Sequence, residues 1–146
     1  MRKIADIMSS DCITVSRKDN IQQTARLMRD NDIGFIPVVE GRNLIGVVTD
    51  RDLVIRGYAN DRQGTASIED VFTEGVRTVS PDMSVDEAAN IMASEQIRRL
   101  PVVQNGILEG IVSLGDMAVR EIFVNEAGEA LSDISENGIQ GSSYAH

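Results

Sequence analysis

The sequence has no tryptophan, and only 3% of its 146 residues are aromatic. A hydrophobic core made from this composition must be aliphatic, and the 42% of residues that are hydrophobic supply enough material for one. The single cysteine, Cys12, excludes a disulfide within the chain, which fits a reducing, cytoplasmic compartment. The only histidine is His146, the last residue of the sequence. The sequence therefore offers no Cys/His cluster for zinc and no Ser-His-Asp set for nucleophilic catalysis.

Positive charge is also scarce, because 14 Lys and Arg residues face 23 Asp and Glu residues, for a formal net charge of −9. Nucleic acids and anionic membranes are bound by clustered basic residues, so we expect neither as a partner. A local basic pocket for one small anion stays open. No apolar run resembles a signal peptide or a membrane span, so we expect a soluble, cytoplasmic protein.

The chain repeats itself at a constant offset of 64 residues, which aligns Ile4 with Ile68 without any gap. Further identical pairs follow in register: Thr14/Thr78, Ala25/Ala89, Met28/Met92, Ile33/Ile97, Pro37/Pro101, Gly46/Gly110 and Asp52/Asp116. We therefore predict a first repeat at 1–57, a linker at 58–67, a second repeat at 68–122 and a C-terminal tail at 123–146. The tail is predicted to hold a short helix followed by disorder.

Each repeat has the pattern of a βαββα unit, so the predicted fold class is α/β, more narrowly α+β. In the first repeat, the pattern predicts a short strand near Cys12–Val15 and a helix capped by Asp19 or Asn20. Two further strands and a last helix capped by Thr49 follow. The corresponding predictions for the second repeat are a helix capped by Ser84, with Glu87 completing a capping box, strands at 100–103 and 108–112, and a helix opened by Ser113 or Leu114.

The segments Ile33-Gly34-Phe35-Ile36-Pro37-Val38-Val39 and Leu44 to Asp52, and their counterparts at 97–103 and 108–116, resemble the CBS-domain motif. The resemblance covers about residues 4–122. It implies a CBS pair (Bateman module) with pseudo-two-fold symmetry and two clefts that bind adenosine ligands. It also implies association into a homodimer.

The strongest candidate site is the motif Gly-hydrophobic-hydrophobic-Thr/Ser-x-x-Asp, which ends in Thr49 and Asp52 and again in Ser113 and Asp116. A hydroxyl at the end of a strand can reach a phosphate, and a carboxylate can accept hydrogen bonds from two ribose hydroxyls. The alternative is structural: Thr49 and Ser113 cap helices, and the aspartates favour a first helical turn. Both interpretations can hold together. We expect Asp52→Ala to weaken nucleotide binding with little effect on folding.

The resemblance further implies that each cleft joins the aspartate of one repeat to the hairpin of the other. One cleft would hold Asp52 with Asp50, Arg51, Arg98 and Arg99, whose guanidinium groups suit a phosphate. The other cleft would hold Asp116 with Gly34, Phe35, Leu114 and Gly115, and lacks that positive charge. We therefore expect the Asp52 cleft to fill first. Alternatively, Arg98 and Arg99 are solvated or pair with acidic surface residues.

Three function classes stay open at this point. The first is a regulatory sensor of AMP, ADP or ATP, with S-adenosylmethionine or NADH as other adenosine ligands, acting on an effector protein that the sequence does not identify. The second is a dimerisation or interaction module with empty clefts. The third, an enzyme, is the weakest, because no activated nucleophile can be named. We expect no required cofactor and no metal.

Overall fold

A computed structural model describes residues 2–115 and 117 of the chain. The described helices and strands follow the predicted alternation. They are α1 (Ile21–Asn31), β1 (Phe35–Glu40), β2 (Asn43–Thr49), α2 (Asp50–Asp52), α3 (Val85–Glu95), β3 (Arg99–Gln104) and β4 (Ile107–Ser113). A π-helical turn at Leu53–Gly57 follows α2, and short 3-10 turns lie at Ile4–Asp6, Tyr58–Asn60 and Ile68–Asp70. Asp116 and the tail predicted from 123 to 146 lie outside the described residues.

The two long helices begin at predicted capping residues. Asn20, one of the two candidates, caps α1, because its side chain accepts from the Gln23 amide at 2.7 Å and the Gln23 side chain accepts from the Asn20 amide at 3.1 Å. Ser84 caps α3 by accepting from the Glu87 amide at 3.1 Å. These bonds satisfy amides that a helix start leaves without an intrahelical partner.

Each repeat contains a β-hairpin next to its long helix. Strand β1 pairs with β2 in antiparallel register, with Phe35 opposite Thr49. Strands β3 and β4 are also neighbours, and their two-residue loop is Asn105-Gly106, with φ of 54° and 81°. An Asn-Gly loop with both φ values positive matches the twist of a tight hairpin. The predicted short first strand of each repeat is reduced to one parallel bridge, Val15 with Val38 and Val79 with Val102.

The chain divides into two compact units that do not coincide with the sequence repeats. Unit 1 contains residues 2–10, 78–104 and the described residues from 109 onward. Unit 2 contains residues 11–77 and 105–108. Each unit therefore combines the helix and strands of one repeat with the opening segment of the other repeat.

The exchanged opening segments make equivalent contacts in the two units. In unit 1, Ser9 and Ile111 exchange two backbone hydrogen bonds of 2.9 and 3.0 Å. In unit 2, Thr73 and Val47 exchange two backbone bonds of 2.8 and 3.0 Å. The offset of 64 residues relates Ser9 to Thr73 and Val47 to Ile111. Residues that the sequence repeat aligns therefore form equivalent backbone hydrogen bonds in the two units.

Each unit has its own aliphatic core, as the scarcity of aromatic residues predicts. In unit 1, Ile4 and Ile7 from the opening segment are buried with members of α3, β3 and β4. In unit 2, Ile68, Val71 and Phe72 are buried in the same way with α1, β1 and β2. Methionines add to these cores: Met28, Met92 and Met117 are buried, and Met8 and Met83 pack against the unit 1 core. Among residues 2–115 and 117, no helix has the length and apolar character needed to cross a membrane.

Candidate ligand-binding site

The site begins where strand β2 ends and α2 starts. Thr49 is the N-cap of α2: its hydroxyl accepts from the Asp52 amide at 3.1 Å, and its own amide donates to the Asp52 carboxylate at 3.0 Å. This reciprocal capping box confirms the structural interpretation of the Thr-x-x-Asp motif in the first repeat. It also orients the Asp52 carboxylate, which is half-buried.

The second oxygen of Asp52 is held by a residue that the sequence analysis did not single out. The Thr73 hydroxyl donates to Asp52 Oδ1 across 3.5 Å, from the exchanged segment that pairs with Val47. The offset of 64 residues aligns Thr73 with Ser9, so both repeats carry a hydroxyl at this position. That recurrence was the signal from which the contact could have been found.

Gly34 and Asp50 are neighbours in unit 2. The Asp50 amide donates to the Gly34 carbonyl at 3.1 Å, and Asp50 Oδ1 accepts from the Arg51 amide at 2.8 Å. A Cβ atom added to Gly34 would lie 2.8 Å from Asp50 Oδ2, so the carboxylate fills the space that a side chain at position 34 would need. We call the group formed by Gly34, Phe35 and Thr49–Asp52 the Asp50 corner.

The charged side chains of the Asp50 corner have different environments. Asp50 and Arg51 are exposed, whereas Asp52 is half-buried and takes part in the capping bonds with Thr49. Phe35, half-buried at the first position of β1, lies opposite Thr49 across the hairpin. The corner therefore offers an aromatic ring, a hydroxyl and two carboxylates over a short stretch of chain. Such a set can accept hydrogen bonds from hydroxyl or amino groups of a ligand.

The second repeat repeats the backbone of this corner with different side chains. The Leu114 amide donates to the Arg98 carbonyl at 2.8 Å, which is the counterpart of the bond from Asp50 to Gly34. Arg99 is half-buried at the start of β3, and Ser113 ends β4. We call Arg98, Arg99 and Ser113–Gly115 the Arg98 corner. Asp116, which the sequence-based prediction groups with Gly34 and Phe35, lies outside the described residues.

Backbone hydrogen bonds join predicted site residues within a repeat: Gly34 with Asp50, and Arg98 with Leu114. The sequence-based grouping instead joined residues of different repeats, and that grouping stays a prediction.

Two features outside the corners bear on chemistry. Burial, and secondarily the charge of Asp11, raise the pKa of the half-buried Cys12 thiol above its ordinary value, which disfavours the reactive thiolate. In the part of the chain that the structure describes, no three His, Cys, Asp or Glu side chains come together as a metal-binding group.

Comparison with known proteins identifies the family. The CBS domain matches the chain twice, at residues 4–57 and 68–120, so the chain belongs to the CBS domain family as a tandem pair of the α+β class. The uncharacterized protein YlbB of Bacillus subtilis is 45% identical to it over 148 residues, which cover 100% of both chains.

Solved structures agree with this assignment. The crystal structure of Hypoxic Response Protein I with two coordinated zinc ions has a TM-score of 0.74 and 32% identity, covering 81% of this chain and 98% of that one. The CBS domain pair of protein MJ0100, solved with 5′-methylthioadenosine and S-adenosyl-L-methionine, has a TM-score of 0.72 and 26% identity. It covers 87% of this chain and 99% of that one.

Proposed function

We propose that this CBS pair is a regulatory module that binds an adenosine-containing ligand, with AMP, ADP or ATP as the first candidates. The observation that carries the proposal is the corner that occurs once in each repeat. In both repeats, the residue after the strand that ends in Thr49 or Ser113 is hydrogen-bonded to the residue just before the first strand of the hairpin. The adenosine compounds bound by the MJ0100 pair support the ligand class.

Asp52 is the proposed ribose-binding residue. Its carboxylate is already oriented by the Thr49 amide and the Thr73 hydroxyl, so little side-chain entropy is lost when a ligand is bound. Each carboxylate oxygen has lone pairs beyond the one used in these bonds, and vicinal ribose hydroxyls can donate to them. Hydrogen bonds to a charged group contribute about 1.5–3 kcal/mol each.

The proposed phosphate-binding residues are Arg98 and Arg99, with the hydroxyl of Ser113, while Arg51 and the Thr49 hydroxyl are polar donors at the Asp50 corner. The formal net charge of −9 opposes the approach of a nucleotide, so an anion needs local arginines. Arginine suits the task because its guanidinium donates several hydrogen bonds in a fixed plane. Phe35 offers an apolar surface for the adenine ring.

We further propose that the module works by binding and carries out no catalysis of its own. The ligand would change the module's contacts with an effector protein, and no cofactor is required for that role. The proposed site residues are hydroxyls, carboxylates and arginines that suit recognition, and the raised pKa of Cys12 opposes its use as a nucleophile.

Isothermal titration of the full chain with AMP, ATP, NADH and S-adenosylmethionine tests the proposal. We expect saturable binding of at least one of them, and weaker binding of ionic nucleotides as salt rises. Failure of all four to bind at concentrations up to about 1 mM, a weak-affinity limit of about −4 kcal/mol, would reject it.

A second function, that of an interaction module, is favoured by exposed apolar side chains near α2. Val54, Ile55 and Tyr58 are 56%, 51% and 83% exposed. Exposed apolar groups of this kind are typical of association surfaces. We propose that they take part in homodimer formation, which is compatible with ligand binding.

A further inference from the structure

The Asp50 corner and the Arg98 corner share a backbone and differ in charge. In the first, a carboxylate occupies the space above a glycine: Asp50 Oδ2 would be 2.8 Å from a Cβ at Gly34. In the second, the aligned residues are Arg98 and Leu114, and their backbone hydrogen bond is 2.8 Å long against 3.1 Å in the first. The glycine-carboxylate pair is thus replaced by an arginine-leucine pair.

The Asp50 carboxylate is held in place by its neighbours. Its Oδ1 accepts from the Arg51 amide at 2.8 Å, and its own amide is tied to the Gly34 carbonyl. Any larger residue at position 34 would displace the carboxylate, because the space between them is smaller than real Cβ contacts allow. Glycine at this position therefore keeps a negative charge against the start of β1.

Charges of the neighbouring residues reinforce the difference. Asp50, Arg51 and Asp52 together carry a formal charge of −1, whereas Arg98 and Arg99, the charged residues of the Arg98 corner, together carry +2. Ligand groups that approach these corners meet potentials of opposite sign. A phosphate is disfavoured near the first set and favoured near the second, and an uncharged or cationic substituent has the opposite preference.

We propose that Asp50, kept in place by Gly34, is a specificity-determining residue: it makes its corner select an adenosine ligand whose 5′ substituent is uncharged or cationic. A thioether or sulfonium suits that corner, and a phosphate suits the Arg98 corner. This inference rests on the proposed adenosine binding and assigns a charge class of ligand to each repeat. It replaces the simpler expectation that Asp50 merely accompanies the arginines at a phosphate site.

The test measures the affinities of the full-length protein for AMP and for 5′-methylthioadenosine, which share the adenosine group. Asp50→Asn removes the charge and keeps an oxygen for the Arg51 amide. The double variant Gly34→Arg with Asp50→Leu rebuilds the side chains of the second repeat in the first. Asp30→Asn is the control, because Asp30 is an exposed aspartate paired with Arg29 on α1 and its loss changes the net charge equally.

We expect Asp50→Asn to raise the affinity for AMP relative to 5′-methylthioadenosine by about tenfold, the scale of one charge interaction near a protein surface, and the double variant to raise it further. Asp30→Asn should leave the ratio unchanged. Binding of both compounds with the same ratio in wild type and both corner variants, at unchanged melting temperatures, would overturn this inference alone. If neither compound bound to any variant, the proposed adenosine binding would fall and this inference with it.

Discussion

The exchange of opening segments predicts that replacing either of two buried glycines by alanine lowers the stability of the protein. A Cβ atom added to Gly46 in β2 would lie 2.3 Å from the Thr73 carbonyl oxygen and 2.7 Å from the Phe72 ring. In unit 1, a Cβ atom at Gly110 would lie 2.6 Å from the Ser9 carbonyl oxygen. The other near atom there is the sulfur of Met8 at 3.0 Å, which belongs to a flexible side chain.

The cost follows from what must move. Forcing one extra methyl into a packed core costs about 1–3 kcal/mol. At Gly46, the obstacle is backbone, so Thr73 must also separate from Val47, and two hydrogen bonds of 2.8 and 3.0 Å are weakened. At about 1 kcal/mol each, these raise the expected loss for Gly46→Ala to about 3 kcal/mol or more. At Gly110 the nearest obstacle is also backbone, so Ser9 must separate from Ile111 and their two hydrogen bonds of 2.9 and 3.0 Å are weakened. Gly110→Ala should therefore also cost about 3 kcal/mol, and Met8 relieves only the second contact.

Thermal unfolding followed by far-ultraviolet circular dichroism measures the effect. A loss of about 3 kcal/mol in a chain of this size corresponds to a drop in Tm of roughly 10 °C. Gly57→Ala is the matched control: Gly57 is buried in the same unit, yet its added Cβ would meet Ile21 at an ordinary 3.4 Å. A Gly46→Ala protein that melted within about 1 °C of the wild type would refute the close approach of Thr73 to β2.

Three further predictions concern the site, the thiol and assembly. Asp52→Ala should weaken ligand binding and, unlike the expectation from the sequence alone, also reduce stability by about 0.5–2 kcal/mol, because Asp52 closes the capping box with Thr49. Asp52→Asn, which keeps an acceptor, should lose binding with a smaller loss of stability. Equal stability of Asp52→Ala and wild type in urea would contradict this. Cys12, whose pKa is raised chiefly by burial, should react with iodoacetamide more slowly than free cysteine at about pH 8. Its alkylation rate should increase at higher pH, where more of the thiol is ionised. Equal rates for Cys12 and free cysteine would contradict the raised pKa. Light scattering at tens of micromolar protein, roughly the range in which weak dimers form, should give the mass of a dimer. Tyr58→Asp should shift the measured mass toward that of the monomer, because Tyr58 is exposed and apolar. A monomeric wild type would count against the proposed dimer.

Local signals predicted much of each repeat. Helix α1 is predicted because Asn20 precedes an apolar periodicity, and the strands of the second hairpin because the runs at 100–103 and 108–112 are apolar. These features depend on residues within a few positions of one another. The capping role of Thr49 was foreseen for the same reason, although the same residues also allowed a purely functional interpretation.

The exchange of segments escaped prediction because it depends on contacts between residues far apart in the chain. Local propensity does not say that Thr73 pairs with Val47 or that Ser9 pairs with Ile111. The glycines aligned at 46 and 110 were a usable signal, since a glycine inside a strand often marks the close approach of another backbone. The contact between Gly34 and Asp50 was missed likewise, because it joins the start of one strand to the end of the next.

The central claim is that an adenosine compound binds at the Asp50 corner, with Asp52 as the ribose-binding residue. Titration of wild type and Asp52→Asn, side by side with AMP and 5′-methylthioadenosine, tests it directly. We predict saturable binding by the wild type and a loss of about tenfold or more in Asp52→Asn, since a charged acceptor contributes about 1.5–3 kcal/mol. Equal affinity of the two proteins, or no binding by either at about 1 mM, would contradict the proposed role of Asp52 as the ribose-binding residue.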